Sequence, residues 1–269
     1  MSHKPPFLVL LLLIINAPIL EARNIRKFED SYADVRGSAE FVGRLNLPGF
    51  AGCNVAYAKY PNGRNGIEIP SHCVAADGRV GDLSRLELEF GFQLGDKDNQ
   101  KLKVTGVECA TFSAHTIEDA YKDVCILDVD KFPAGIEPIE RVYLSKSAQN
   151  KMIADEEKVG FFGFHVARST RGKLPDPGNE KISYQANITR TIQFCNLTKS
   201  PHVEYDTARY LFYDCDSLHA SSGGAIVRWN KHKNKWQMIG LHKGGFSKDK
   251  TMPNFAMNAY INELNLRFP

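Results

Sequence analysis

Three side chains, far apart along the chain, are of types that together can attack a carbonyl. His72 lies in "IPSHCV", Asp123 in "YKDVCILDVD" and Ser222 in "HASSGGAIV". A hydroxyl is a weak nucleophile near neutral pH. It needs a base to take its proton, a group to orient that base, and donors for the oxyanion that forms. A histidine suits the first role and a carboxylate the second, while small residues around a serine let backbone N–H groups aim at the third. Gly223 and Gly224 would leave room for a substrate backbone to come close. Each motif is degenerate by itself. Their order and local contexts are specific as a set.

Such groups must be carried by a scaffold. Short β-rich runs recur between turn signals, among them "SRLELEFGF", "KLKVTGVECATF", "KVGFFGFHV" and "ARYLFYDC". In the first, Leu86, Leu88 and Phe90 alternate toward one face. "AIVRWNKHKNKWQMIGL" reads as a hairpin with a basic tip, a solvated end or a site for an anionic glycan. Residues 145–158, "SKSAQNKMIADEEK", interrupt the strands and divide the chain into two halves, about 42–144 and 159–257. The last segment, about 258–268, has Asn258 to cap it and Ile261, Leu264 and Phe268 at helical spacing. The expectation is an all-β protein of two β units with a C-terminal helix.

Composition bounds the function. At 43% hydrophobic and 24% charged residues the chain has ordinary globular make-up. A formal net charge of +3 is too small to imply nucleic-acid binding without a clustered patch. At the N-terminus Lys4 precedes the apolar run "FLVLLLLII", and "APILEA" ends in Ala22, which reads as a secretory signal over 1–22 followed by an extension over 23–41. The apolar run is short for a bilayer, so no membrane association is expected after cleavage. In an oxidising compartment six cysteines suggest disulfides, with fifteen possible pairings, and the lack of a CxxC pair argues against a structural metal site. "NIT" at Asn187 and "NLT" at Asn196 are acceptor triplets for glycosylation.

Taken together, "IPSHCV", "DVCILDVD", "ASSGGAIV" and "MIGLHKGG" resemble the chymotrypsin-like (trypsin-like) serine peptidases over roughly Val42 to Phe268. The nucleophile loop is more similar to the glutamyl endopeptidase branch. The resemblance implies two six-stranded antiparallel β-barrels with the catalytic groups at their interface. It implies a secreted endopeptidase acting on protein or peptide substrates without a cofactor, or, alternatively, a catalytically impaired relative serving as a secreted binding protein. His72 would be general base and acid, Asp123 its orienting partner, and Ser222 the nucleophile. The backbone N–H groups of Ala220 and Ser222 would form the oxyanion hole, with Ala220 standing where the family usually has glycine. Family pairing implies Cys53–Cys73 and Cys195–Cys215, leaving Cys109 and Cys125 beside a candidate antiparallel pair. Asp216, Ser217, His242 and Gly244 form the expected substrate-binding set. Asp216 points to cleavage after Arg or Lys and His242 to cleavage after Glu, with the weight on Asp216. Ser221 stands where zymogen-activated members carry aspartate, and no "IVGG" start is present, so activation by a new N-terminus is not expected.

Overall fold

The computed structural model describes residues 26–27, 40–46, 52–76, 79–80, 82–91, 99–110, 120–166, 188–201, 205, 208–215, 217, 221–244 and 254–258. Its strands are β1 (Arg26–Lys27), β2 (Val42–Asn46), β3 (Cys53–Lys59), β4 (Asn65–Ile69), β5 (Ala75–Ala76), β6 (Arg79–Val80), β7 (Glu87–Phe90), β8 (Gln100–Cys109), β9 (Cys125–Val129) and β10 (Ile139–Arg141). Among the described residues one α-helix, α1 (Lys146–Ala154), is followed by β11 (Lys158–Val166), β12 (Ile188–Thr198), β13 (Tyr210–Tyr213), β14 (Ala225–Asn230), β15 (Lys235–Gly244) and β16 (Asn254–Met257). Among the described residues no helix is long and apolar enough to cross a membrane.

The first half closes on itself. β2 pairs with β3, β3 with β4, β4 with β9, β9 with β8, β8 with β7, and β7 returns to β2, every pairing antiparallel. Closure leaves no free edge, which is how a small antiparallel sheet avoids pairing with other chains. The interior is filled by alternating side chains such as Val55, Ile67, Leu88, Leu102 and Ile126, each 0 or 1% exposed. Leu86, Leu88 and Phe90 all face inward, as the alternation predicts. Glu89 is also buried, because Arg44 lies opposite it in register and its Nε donates to the carboxylate at 2.5 Å. A buried charge persists when an opposite charge hydrogen-bonds it.

In the second half β11 pairs with both β12 and β14, β12 with β13, β13 with β16, β16 with β15, and β15 with β14. The expected hairpin is β14–β15. At its tip the Asn230 side chain accepts the N–H groups of His232 and Lys233, each at 3.0 Å, and Asn234 takes φ of 50°. The interrupting segment is α1, capped where Ser145 Oγ accepts the Ala148 N–H at 3.2 Å. Short β10 lies parallel to both β3 and β15 and so joins the halves. At its end Arg141 Nε donates to Glu68 at 3.1 Å with both side chains buried.

Residues 1–22, read from the sequence as a secretory signal, and all of 259–268 lie outside the described residues. Within the N-terminal extension, β1 pairs with β12. Asn258, read as the helix cap, has its carboxamide tied elsewhere: it accepts the Leu144 N–H at 3.2 Å and donates to the Leu144 and Ala208 carbonyls, each at 2.7 Å.

Candidate active site

His72 sits in a single 3-10 turn, Ser71–Cys73, entered from Pro70, whose φ of −63° suits the start of a helical turn. Cys73 is bridged to Cys53 at the start of β3, so the turn is covalently held to the barrel. The other bridges are Cys109–Cys125, between residues directly opposite in β8 and β9, and Cys195–Cys215, from β12 to the residues after β13. Cys53–Cys73 and Cys195–Cys215 are the pairs the resemblance implied, Cys109–Cys125 joins the two cysteines it left over, and three disulfides fit an oxidising compartment.

Asp123 follows a second 3-10 turn, Ala120–Lys122, and enters β9 with no exposed surface. Four donors converge on it. Ser71 Oγ (2.5 Å) and the His72 backbone N–H (2.9 Å) reach Oδ1, while His72 Nδ1 (2.6 Å) and the Lys243 ammonium reach Oδ2. Burial pushes this carboxyl up, but the hydrogen bonds and charges of His72 and Lys243 outweigh it and hold Asp123 well below the usual carboxylate range. An ionised carboxylate accepts only, so the proton of neutral His72 resides on Nδ1. That leaves the Nε2 lone pair for chemistry. The imidazole is 39% exposed and therefore accessible.

Ser222 comes from the other half, in the turn before β14. Its carbonyl accepts the Asn54 backbone N–H at 2.7 Å and the Asn54 side-chain amide at 3.3 Å. The same carboxamide donates to the Phe164 carbonyl at 3.1 Å and accepts the Phe164 N–H. A single polar residue of β3, 0% exposed, thus clamps β11 and the serine turn together. The Gly223 N–H donates to the His242 carbonyl at 2.8 Å, and the His242 N–H to the Gly224 carbonyl at 2.7 Å.

The two glycines are required from inside the protein. Gly223 has φ of +82°, and a Cβ there would lie 2.0 Å from the Asn54 carbonyl oxygen; at Gly224 a Cβ would lie 2.3 Å from the Phe161 ring. The room left by their missing side chains is occupied by β3 and Phe161, whereas the sequence reading reserved it for substrate. The Ser222 hydroxyl donates to the Lys243 carbonyl at 3.3 Å, and among the described residues no hydrogen bond joins it to His72.

His242 is 1% exposed, its ring packed 4.9 Å from that of Phe161, and the Tyr213 hydroxyl bonds its Nδ1. Burial pushes that hydroxyl well above its ordinary range, so it remains protonated. Ser217 and Gly244 are half-buried. Asp216 and Ala220 lie outside the described residues, as does Asn187. Asn196 is half-buried in β12, its backbone N–H bonded to the Asp214 carboxylate at 2.7 Å and its amide nitrogen 3.5 Å from the other carboxylate oxygen. Asn54, Ser71 and Tyr213 escaped the sequence reading; the one signal was a lone carboxamide near the start of the mostly apolar strand "CNVAYAK".

No protein-family model matches the sequence, and no curated protein matches it. The closed six-stranded barrel with its disulfides is compatible with a chymotrypsin-like fold.

Proposed function

We propose that the chain is a secreted serine endopeptidase of the chymotrypsin-like class, with the paired strands β11 to β16 forming its second barrel. One observation carries this reading. The Asp123 carboxylate holds Nδ1 of an accessible imidazole at 2.6 Å, while a serine on a glycine-pinned turn is anchored to the same β3 strand whose first residue bridges to the histidine turn. Ser222 Oγ attacks the scissile carbonyl as His72 Nε2 takes its proton. Asp123 stabilises the imidazolium, and the backbone N–H groups of Ser222 and Ala220 receive the oxyanion. The proton then passes to the leaving amine, and water hydrolyses the acyl-enzyme by the same route.

The resemblance gives Asp216 the role of selecting the substrate side chain, and on that basis cleavage is expected after Arg or Lys. The burial of His242 against Phe161 and its bond to Tyr213 weigh against a role as an open acidic-residue receptor.

A second reading, a secreted binding protein on the same scaffold, is favoured by the Ser222 hydroxyl bonding to the Lys243 carbonyl. Labelling by a fluorophosphonate probe separates the two. The endopeptidase reading expects labelling that vanishes in Ser222→Ala and drops by on the order of 10⁴-fold or more in His72→Ala. Wild-type protein that stays unlabelled across pH 5 to 9 would leave the binding protein.

A further inference from the structure

Lys243 enters the triad in a way its neighbours on β15 do not explain. Its ammonium binds Asp123 Oδ2, the oxygen that also receives His72 Nδ1, and its side chain is only 16% exposed. With Ser71 Oγ and the His72 N–H on Oδ1, the carboxylate has four donors, about its full accepting capacity. Holding a four-carbon ammonium stem in one buried pose costs rotamer entropy and hydration, and a carboxylate partner offsets that cost. Two cations therefore share one negative charge: the lysine throughout, the imidazolium only after His72 has taken a proton.

We infer that Lys243 is a positioning residue that fixes Asp123 and weakens the attraction available to the His72 imidazolium, keeping Nε2 free as a base to lower pH than a carboxylate–imidazole pair alone would allow. The inference rests on the endopeptidase reading and deepens it.

Among the described residues, the charged groups bonded to Asp123 are His72, from the 3-10 turn, and Lys243, from β15. Ser71 adds a neutral donor. Lys122, which directly precedes Asp123, has its ammonium over the Tyr121 ring at 5.5 Å, and the Arg209 guanidinium lies 4.3 Å from the same ring. The Ser222 hydroxyl meets the Lys243 backbone carbonyl, so side-chain replacement leaves that acceptor in place.

The test needs no substrate. The carbon-bound imidazole protons of His72, assigned by their loss in His72→Gln, are titrated by NMR in the wild type and in Lys243→Met, Lys243→Gln and Lys243→Arg, with circular dichroism to check folding. A unit charge about 5 Å away in a partly screened site shifts a titration by roughly one pH unit. The expected result is a midpoint about one unit higher in the Met and Gln variants, returning to the wild-type value in Lys243→Arg. Two neutral variants are used so that one poorly folded protein does not decide the matter. An unchanged or lowered midpoint in a folded neutral variant overturns the inference. Failure of wild-type fluorophosphonate labelling would instead strike the endopeptidase reading, since the titration does not depend on turnover.

Discussion

Asn54 does more for the site than its single polar side chain in an apolar strand suggests. Its carboxamide serves both backbone groups of Phe164, and its backbone and side chain together hold the Ser222 carbonyl. Asn54→Ala would leave the buried Phe164 groups without these partners, at a cost of about 1–3 kcal/mol for each group left unsatisfied. Unfolding in urea should show a clearly lower midpoint, and labelling at Ser222 should slow because the turn loses its anchor. Asn54→Leu, which refills the volume, should recover little of either, since the loss is of hydrogen bonds. Full labelling and an unchanged midpoint in Asn54→Ala would show that the clamp is dispensable. Gly223→Ala meets a harder obstacle. Its φ of +82° already disfavours a side chain, and a Cβ 2.0 Å from the Asn54 carbonyl oxygen forces β3 and the serine turn apart. It should destabilise by several kcal/mol and abolish labelling, read in the same two assays.

At the scale of elements, two disulfides offer an internal comparison. Cys53–Cys73 and Cys109–Cys125 close loops of similar sequence separation, 20 and 16 residues. Chain entropy alone therefore assigns them nearly equal stabilisation, about 3 kcal/mol each. Their structural settings differ. Cys109 and Cys125 are already opposed in the β8–β9 ladder, whereas Cys73 belongs to a three-residue 3-10 turn. Replacing either pair by alanines should lower thermal stability to a similar degree. Only loss of Cys53–Cys73 should slow fluorophosphonate labelling beyond what the stability loss explains, because His72 then depends on its bonds to Asp123 for position. Equal labelling of the two double variants, measured well below their melting temperatures, would count against that role.

For the whole molecule, a shared apolar core runs across the two halves, with the Phe41 and Phe162 rings 6.0 Å apart, and an ion-pair cluster adds to it. β10 lies between β3 and β15, and Glu140 on β10 holds Lys233 (2.6 Å) and Lys235 (2.8 Å) of the β14–β15 hairpin. Burial pushes the Glu140 carboxyl up. Hydrogen bonds from Lys233, Lys235 and Gln237 outweigh it and bring the group from 4.5 down to about 2. Because the folded value is the lower one, the stabilisation is present above about pH 4.5 and is lost as pH falls toward 2. Asp123 acts in the same direction, its depressed carboxyl losing stabilisation as acid is added. Melting temperature should therefore fall between pH 5 and pH 2. Glu140→Gln should flatten part of that fall while lowering stability slightly at pH 7, the modest effect expected of a partly exposed ion-pair cluster. An acid profile identical in Glu140→Gln and wild type would remove Glu140 from this account.

Local pattern sufficed for β7, β8 and β9 and for the β14–β15 hairpin, because alternation and turn residues are near-neighbour properties of a chain. Side-chain type and context singled out His72 and Asp123, which the structure brings within 2.6 Å, while the Cys53–Cys73 and Cys195–Cys215 pairs were implied by the resemblance and not by local context. What the chain order does not contain is which distant groups meet. The closure of six strands into a barrel, the burial of Glu89 by Arg44, the turning of His242 toward Tyr213 and the arrival of the Lys243 ammonium on Asp123 all join residues 29 to 120 positions apart. The glycines after Ser222 make the same point: their identity is visible in the sequence, but the reason for it, the backbone of β3 pressing against Gly223, exists only once the two halves are packed.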